Sequence, residues 1–181
     1  MARTNKTRYA ILGALTVEPM SAYGIKMFMQ RTTGNFWVEY EAQLYPNLKK
    51  LSQEEYVTFV EEAADKVGMR RVFHITEKGR ELLAKWLVQN PDQEVIRDEF
   101  LLKIYYGFNV PKEEIIKQIQ NRKELVSQRL KKFRKIKVDL DKQENLDRGI
   151  YRLLPTFKGI RFAEAELAWC DDALELLMAN G

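Results

Sequence analysis

The sequence predicts a mainly α-helical protein that carries one small β-hairpin. Apolar residues recur at helical spacing through most of the chain, as in Leu44, Leu48 and Leu51. The period becomes strand-like only at Y-V-T-F-V-E-E and R-R-V-F-H-I-T, runs rich in aromatic and β-branched residues. Turn formers fall between the segments: Asp65 and Gly68, Asn90-Pro91, Gly107 and Pro111, Gly149 and Pro155.

At 181 residues the chain has room for one ordinary domain or two small ones. It is 45% hydrophobic, enough for a core, and 31% charged. No apolar run approaches the roughly 18 residues of a membrane span. The start M-A-R-T-N-K-T-R has charge without the apolar stretch of a secretion signal. A single cysteine, Cys170, excludes an internal disulfide and fits a reducing cytoplasm. With one histidine, His74, beside that one cysteine, no His/Cys metal site and no cofactor are expected. The net charge of +4 is unevenly spread: residues 112–137 hold ten Lys/Arg against three Asp/Glu, and residues 138–181 hold five against nine. A mildly basic balance admits a nucleic-acid partner without demonstrating one.

Residues 6–17 read as a first helix, apolar through Tyr9 and Leu12 on one side and Ile11 and Leu15 on the other, hence well buried. E-P-M-S follows as a turn. Ser21 is placed to cap a second helix that Gly34 ends. A third helix covers about 39–54, with Leu44, Leu48 and Leu51 on its inner face. Pro46 lies inside it, at a cost of about 3 kcal/mol for a helix interior. On 100° per residue, Pro46 points outward, so the carbonyl of Ala42 that it leaves unpaired meets water. A competing reading starts the helix at Pro46; the periodicity reaching back to Leu44 argues against it. The two β-runs form a hairpin, and Thr76 caps a helix that stops before Asn90-Pro91.

Three helices and then a hairpin is the plan of a winged helix-turn-helix module, here residues 1–90. Residues 91–181 contain only helices, at about 93–106, 112–144 and 156–179. The last helix has Ile160, Ala163, Leu167, Cys170, Leu174 and Leu177 in steps of three and four. The long one repeats every seven at Ile119, Val126, Phe133 and Leu140. Such seams either pair two helices within one chain or join two chains. A helix of roughly 50 Å, at 1.5 Å per residue, outruns the small domain it would cover, which favours dimerisation through this set.

If the third helix enters a major groove, its outer face must do the reading. Gln43 and Asn47 can pair with adenine edges, Lys49 and Lys50 reach guanine or phosphate, and Tyr40 donates to phosphate. A solvated polar face is the plain alternative. The hairpin adds Lys66 at its tip and Arg70-Arg71 on its second strand, and the N-terminal arm adds Arg3, Lys6 and Arg8. The N-cap Ser21 joins these candidate contacts.

The sequence here resembles the PadR family of bacterial transcriptional regulators. The matching residues are S-A-Y-G-I-K at 21–26, Q-L-Y-P-N-L-K-K-L at 43–51 and V-F-H-I-T-E-K-G-R at 72–80. Further on they are R-D-E-F-L-L-K at 97–103 and A-E-L-A-W-C-D-D-A-L at 165–174. The long helical tail is similar to that of the larger subfamily, which includes virulence-gene activators. The resemblance implies that Pro46 lies within the recognition helix. It also implies a homodimer on double-stranded DNA and, in many members, a small aromatic effector; Trp37, Trp86 and Trp169 are the candidate effector residues, against core packing. One departure stands out: Glu55 takes the place where family members commonly have a helix-ending glycine.

Several residues read more plainly. His74 alternates with Phe73 and Ile75 and is expected to be solvated on the outer face of the hairpin. Cys170 is expected to act as a small hydrophobe. The cations of 112–137 form either a solvated face or a second anionic contact surface. Two functions follow from different classes: a cytoplasmic, homodimeric DNA-binding repressor on a pseudo-palindromic operator, and a helical adaptor whose winged module binds protein instead. Two recognition helices would sit about 34–36 Å apart, one duplex turn. An enzyme fits least, because no P-loop, G-x-S-x-G or H-E-x-x-H is present.

Overall fold

In the computed structural model, which describes residues 6–39, 41–63, 68–93, 96–142 and 146–179, the chain forms two compact units, Met1–Gln93 and Glu94–Gly181. The first contains α1 (Thr7–Leu15), β1 (Met20–Ser21), α2 (Ala22–Thr32), α3 (Glu41–Gln53), β2 (Val57–Ala63), β3 (Met69–Ile75) and α4 (Glu77–Leu87). Two of its helices begin for the same reason. Ser21 and Thr76 each accept, through their hydroxyls, the amide of the glycine three residues on, Gly24 and Gly79, both at 3.1 Å.

The residues expected to form a turn, E-P-M-S, contain a strand instead. Met20 pairs with Phe73 and Ser21 with Val72, so the antiparallel sheet runs β1-β3-β2. Two residues are too few to show a period, which is why this strand escaped the sequence reading. β3 is therefore the central strand, and His74, opposite Thr58, is half-buried rather than solvated. Its Nε2 is buried with no hydrogen-bond partner among the described residues.

One core fills this unit: Ile11, Leu12 and Leu15 of α1, Ile25 and Met29 of α2, Leu44, Leu48 and Leu51 of α3, with Val57, Phe73 and Leu83. Burying each large aliphatic side chain contributes roughly 2 kcal/mol. α3 begins at Glu41 and runs through Pro46, so the proline is not the first residue of the helix.

The corner between α3 and β2 is made without glycine. Glu55 adopts φ 63°, and the amides of Glu55 and Tyr56 donate to the carbonyls of Ser52 and Leu51. This is a Schellman closure with a glutamate in the left-handed position. Thr76 secures it, its hydroxyl donating to the Glu55 carbonyl at 2.8 Å and its amide to that of Tyr56 at 3.1 Å. Gly79 fits beneath: a Cβ there would lie 2.2 Å from the Tyr56 oxygen. T-E-K-G is thus the buttress of the wing corner.

In the second unit, α5 spans Glu99–Tyr105, a 3-10 turn follows at Gly107–Asn109, and two long helices, α6 (Lys112–Asp141) and α7 (Leu146–Ala179), run on from there. The helix expected over 93–106 starts only at Glu99, where the Asp98 carboxylate caps it by accepting the amides of Phe100 and Leu101. Pro155 does not mark a junction, because α7 continues through it.

α6 and α7 pack on each other within the chain. Val126, Leu130, Phe133, Ile160 and Ala163 form one buried cluster, joined by Leu167. Ile115, Ile119 and Cys170 form another, joined by Leu174 and Leu177. Leu140 is half-buried and lies outside both. The seam read as a contact between two chains is therefore occupied by the chain's own helices; antiparallel helices each carrying a seven-residue repeat satisfy one another. Gly159 lets Phe133 approach, for a Cβ there would sit 2.6 Å from the ring. The charge imbalance follows the same packing. Arg122 pairs with Glu166, Lys123 with Asp171, and Arg134 with Glu164 at 3.1 Å. The basic stretch is thus partly the counterpart of the acids on α7, a role the sequence reading did not consider. Arg134, with Arg161 nearby, holds the Glu164 carboxyl below the usual carboxylate range. The stabilisation from that link is present at neutral pH and is lost as pH falls through the lowered value.

Glu55→Gly is expected to stabilise the first unit by about 0.5–1 kcal/mol, since a side chain in the left-handed region is strained. Gly79→Ala is expected to destabilise it by about 1–3 kcal/mol through overpacking against a backbone oxygen. Urea unfolding of the two variants beside the parent checks both signs.

Candidate nucleic-acid interface

α3 is buried on one side and open on the other. Leu44, Leu48 and Leu51 are 2%, 1% and 1% exposed. Asn47 is buried with them at 5%, and its Nδ2 donates to the Gln43 carbonyl at 2.7 Å. The expectation that Asn47 flanks the outer face is corrected: at 100° per residue it lies beside Leu51, on the inner side. The open side carries Gln43, Tyr45, Pro46, Lys49 and Lys50, all exposed. Tyr45, 56% exposed, was missed. The signal that finds it is its place one helical turn before Lys49. Lys49 has no ion-pair partner among the described residues, and Lys50 meets Glu54 only at 3.9 Å.

α1 ties both ends of α3 down. The Thr7 hydroxyl donates to Glu39, just before the helix, at 3.0 Å, and Arg8 pairs with Glu54, just after it, at 2.6 Å. The Arg8 guanidinium also lies 5.3 Å from the Tyr56 ring. Arg8 is thus half-buried and engaged inside the unit, and Lys6 pairs with Asp92 at 2.9 Å. Neither is the free arm cation that the sequence suggested, because α1 begins at Thr7 and turns these side chains onto the body. Ser21 is committed to capping α2. Arg3, Tyr40 and Lys66 lie outside the described residues.

The wing carries its two arginines in ion pairs across the hairpin: Arg71 with Glu61 at 3.1 Å and Arg70 with Glu62 at 3.4 Å. Arg71 also sits 4.5 Å from the centroid of the Phe59 ring. Within the first unit, Trp37 and Trp86 make separate contacts. Trp86 stacks on Tyr9 at 4.6 Å against the core. Trp169, in the second unit, meets Phe100 edge-on at 5.8 Å. Trp37 lines a cavity of about 120 Å³ with Lys26, Met29, Val38, Glu39 and Leu44, beside the start of α3. Cys170 is fully buried; burial first, then Glu166, pushes its thiol up, so it stays protonated and unreactive.

Two family models match this chain. The one described as the transcriptional regulator PadR-like family matches residues 11–85, and the one described as the virulence activator alpha C-term matches residues 96–178. The chain therefore carries a PadR-like domain followed by a virulence activator alpha C-term domain. Among curated proteins, this PadR-like chain is similar to the negative transcriptional regulator PadR of Bacillus subtilis (strain 168), at 35% identity over 100 residues. That alignment spans 55% of this chain and 55% of the relative, so it reaches about half of the relative's length. Among solved structures, Bacillus subtilis PadR in complex with operator DNA superposes with a TM-score of 0.84 at 26% identity, covering 94% of this chain and 98% of that one. The same regulator in complex with p-coumaric acid gives a TM-score of 0.77 at 26% identity, covering 94% and 97%. No helix among the described residues is long and apolar enough to cross a membrane.

Asn47→Ala is expected to cost about 1–2 kcal/mol, since it removes a buried hydrogen bond, whereas Lys49→Ala should change stability by less than about 0.5 kcal/mol. Thermal unfolding of the two variants separates the inner from the outer side of α3.

Proposed function

We propose that this PadR-like chain is a homodimeric transcriptional repressor that reads a pseudo-palindromic operator with α3. The observation that carries the proposal is the division of α3 into a buried leucine side and an open side of Gln43, Tyr45, Lys49 and Lys50. Gln43 offers an amide to adenine, the lysines reach guanine or phosphate, and Tyr45 donates to phosphate or packs on a thymine methyl. The wing lies along the adjacent backbone. The likeness to Bacillus subtilis PadR in complex with operator DNA supports the same use of the fold here.

Dimerisation is proposed through a face of α7 away from the filled seam. Tyr151 and Phe162 are 74% and 66% exposed and Trp169 is 36% exposed. At 100° per residue they share one side of α7, about a quarter of the way round from Cys170 and about half of the way round from Ile160. A second copy covering this stripe sets the distance between two α3 helices, and repression follows from occluding a promoter. An effector is proposed as a small planar aromatic molecule, by likeness to PadR in complex with p-coumaric acid. It would act by changing that distance.

Anisotropy of a labelled duplex taken from just upstream of the protein's own coding region tests the reading. Binding is expected to weaken steeply with salt, by about 0.9 in log–log slope for each neutralised phosphate. Lys49→Glu with Lys50→Glu should abolish it while leaving the fold intact. Adding p-coumaric acid should release the duplex. Phe162→Glu is expected to halve the mass seen by sedimentation and to weaken operator binding. Salt-independent association, or none at low salt, refutes DNA binding.

A further inference from the structure

The strands of the wing read T-F-V-E-E-A and M-R-R-V-F, and their register sets charge against charge. Glu61 stands directly opposite Arg71, and Glu62 opposite Arg70. Because side chains alternate along a strand, one pair lies on each face of the ribbon. Both pairs are closed, at 3.1 and 3.4 Å. Whichever face of the ribbon meets a nucleic-acid backbone, its arginine already holds a carboxylate.

We propose that Glu61 and Glu62 are built-in stand-ins for phosphate, which hold Arg71 and Arg70 on the wing and set how tightly the wing engages DNA. The proposal rests on the DNA-binding reading above. The guanidinium fork fits a carboxylate and a phosphate oxygen pair with similar geometry. The side chains of both pairs are about half exposed, and exposed pairs are weakly held, so exchange of carboxylate for phosphate is easy. The displaced carboxylates nevertheless stay beside the backbone and repel it. The wing therefore contributes position more than affinity, and more of the binding strength falls to Lys49, Lys50 and the second protomer.

The two pairs differ in one respect. Arg71 keeps a second support when its carboxylate is removed, because its guanidinium lies over Phe59 at 4.5 Å. Arg70 has no such ring contact among those described. Removing Glu61 therefore leaves a pre-placed cation, whereas removing Glu62 leaves a freely moving one. Glu61→Gln should have the larger effect.

The test uses the full-length protein and a mixed-sequence duplex, which presents phosphates without an operator. Glu61→Gln and Glu62→Gln keep the shape of the side chain and remove its charge. Each is expected to tighten binding at low salt, Glu61→Gln more than Glu62→Gln. Each is also expected to steepen the salt dependence, by up to about 0.9 for each carboxylate removed, because the arginine then neutralises its phosphate without a compensating negative charge beside it. The pair Asp172→Asn with Glu175→Gln on α7 matches the charge change of Glu61→Gln combined with Glu62→Gln and controls for net charge. Glu61→Gln combined with Arg71→Gln should lose the gain. Equal affinity and slope in wild type and wing variants overturns the proposal. Equal tightening in the α7 control overturns it too. A wild-type protein that binds no duplex at low salt fails the DNA reading itself, a result distinct from either.

Discussion

The position of α3 rests on its burial against α1. Three leucines of α3 enter the same core as Ile11, Leu12 and Leu15, which leaves that helix one inner side and one outer side. Adjacent residues of α1 then hold its two ends, Thr7 through Glu39 and Arg8 through Glu54. The arrangement explains why a mildly basic protein uses one of its N-terminal arginines internally. A helix that presents side chains to a duplex must not roll, and a roll of one residue step, 100°, in either direction would bring a leucine into the outer half and turn part of the open side inward.

Much of this was legible in the sequence because it depends on period. The leucine spacing of α3, the caps at Ser21 and Thr76, the hairpin and the two long helices all follow from local pattern. What escaped depended on partners distant in the chain. β1 is two residues long and exists only because β3 lies beside it. Asn47, by contrast, needed only helical geometry, which sets it beside Leu51 with its partner carbonyl, that of Gln43, one turn back. Tyr45 also needed only helical geometry, which sets it one turn before Lys49 on the open side. The seam of α6 and α7 was correctly read as a seam, but no periodicity says whether its other half comes from the same chain.

The charge distribution has the same lesson at larger scale. Ten cations on 112–137 suggest an anion-binding surface when counted alone. In the fold, Arg122, Lys123 and Arg134 face acids on α7. Lys131, Lys132 and Lys135 remain exposed without an ion pair among the described residues. The segregation of basic and acidic stretches favours packing these two helices on one another, since cations on one helix face carboxylates on the other.

The two prolines inside helices share a detail. Each is followed by a buried polar residue whose side chain reaches back one turn: Asn47 to the carbonyl of Gln43 at 2.7 Å, and Thr156 to that of Arg152 at 3.2 Å. A proline deletes one rung of the backbone ladder, and these side chains add a splint beside the gap. Each interruption thus has a buried side-chain bond that ties the residue after the proline to the turn before it.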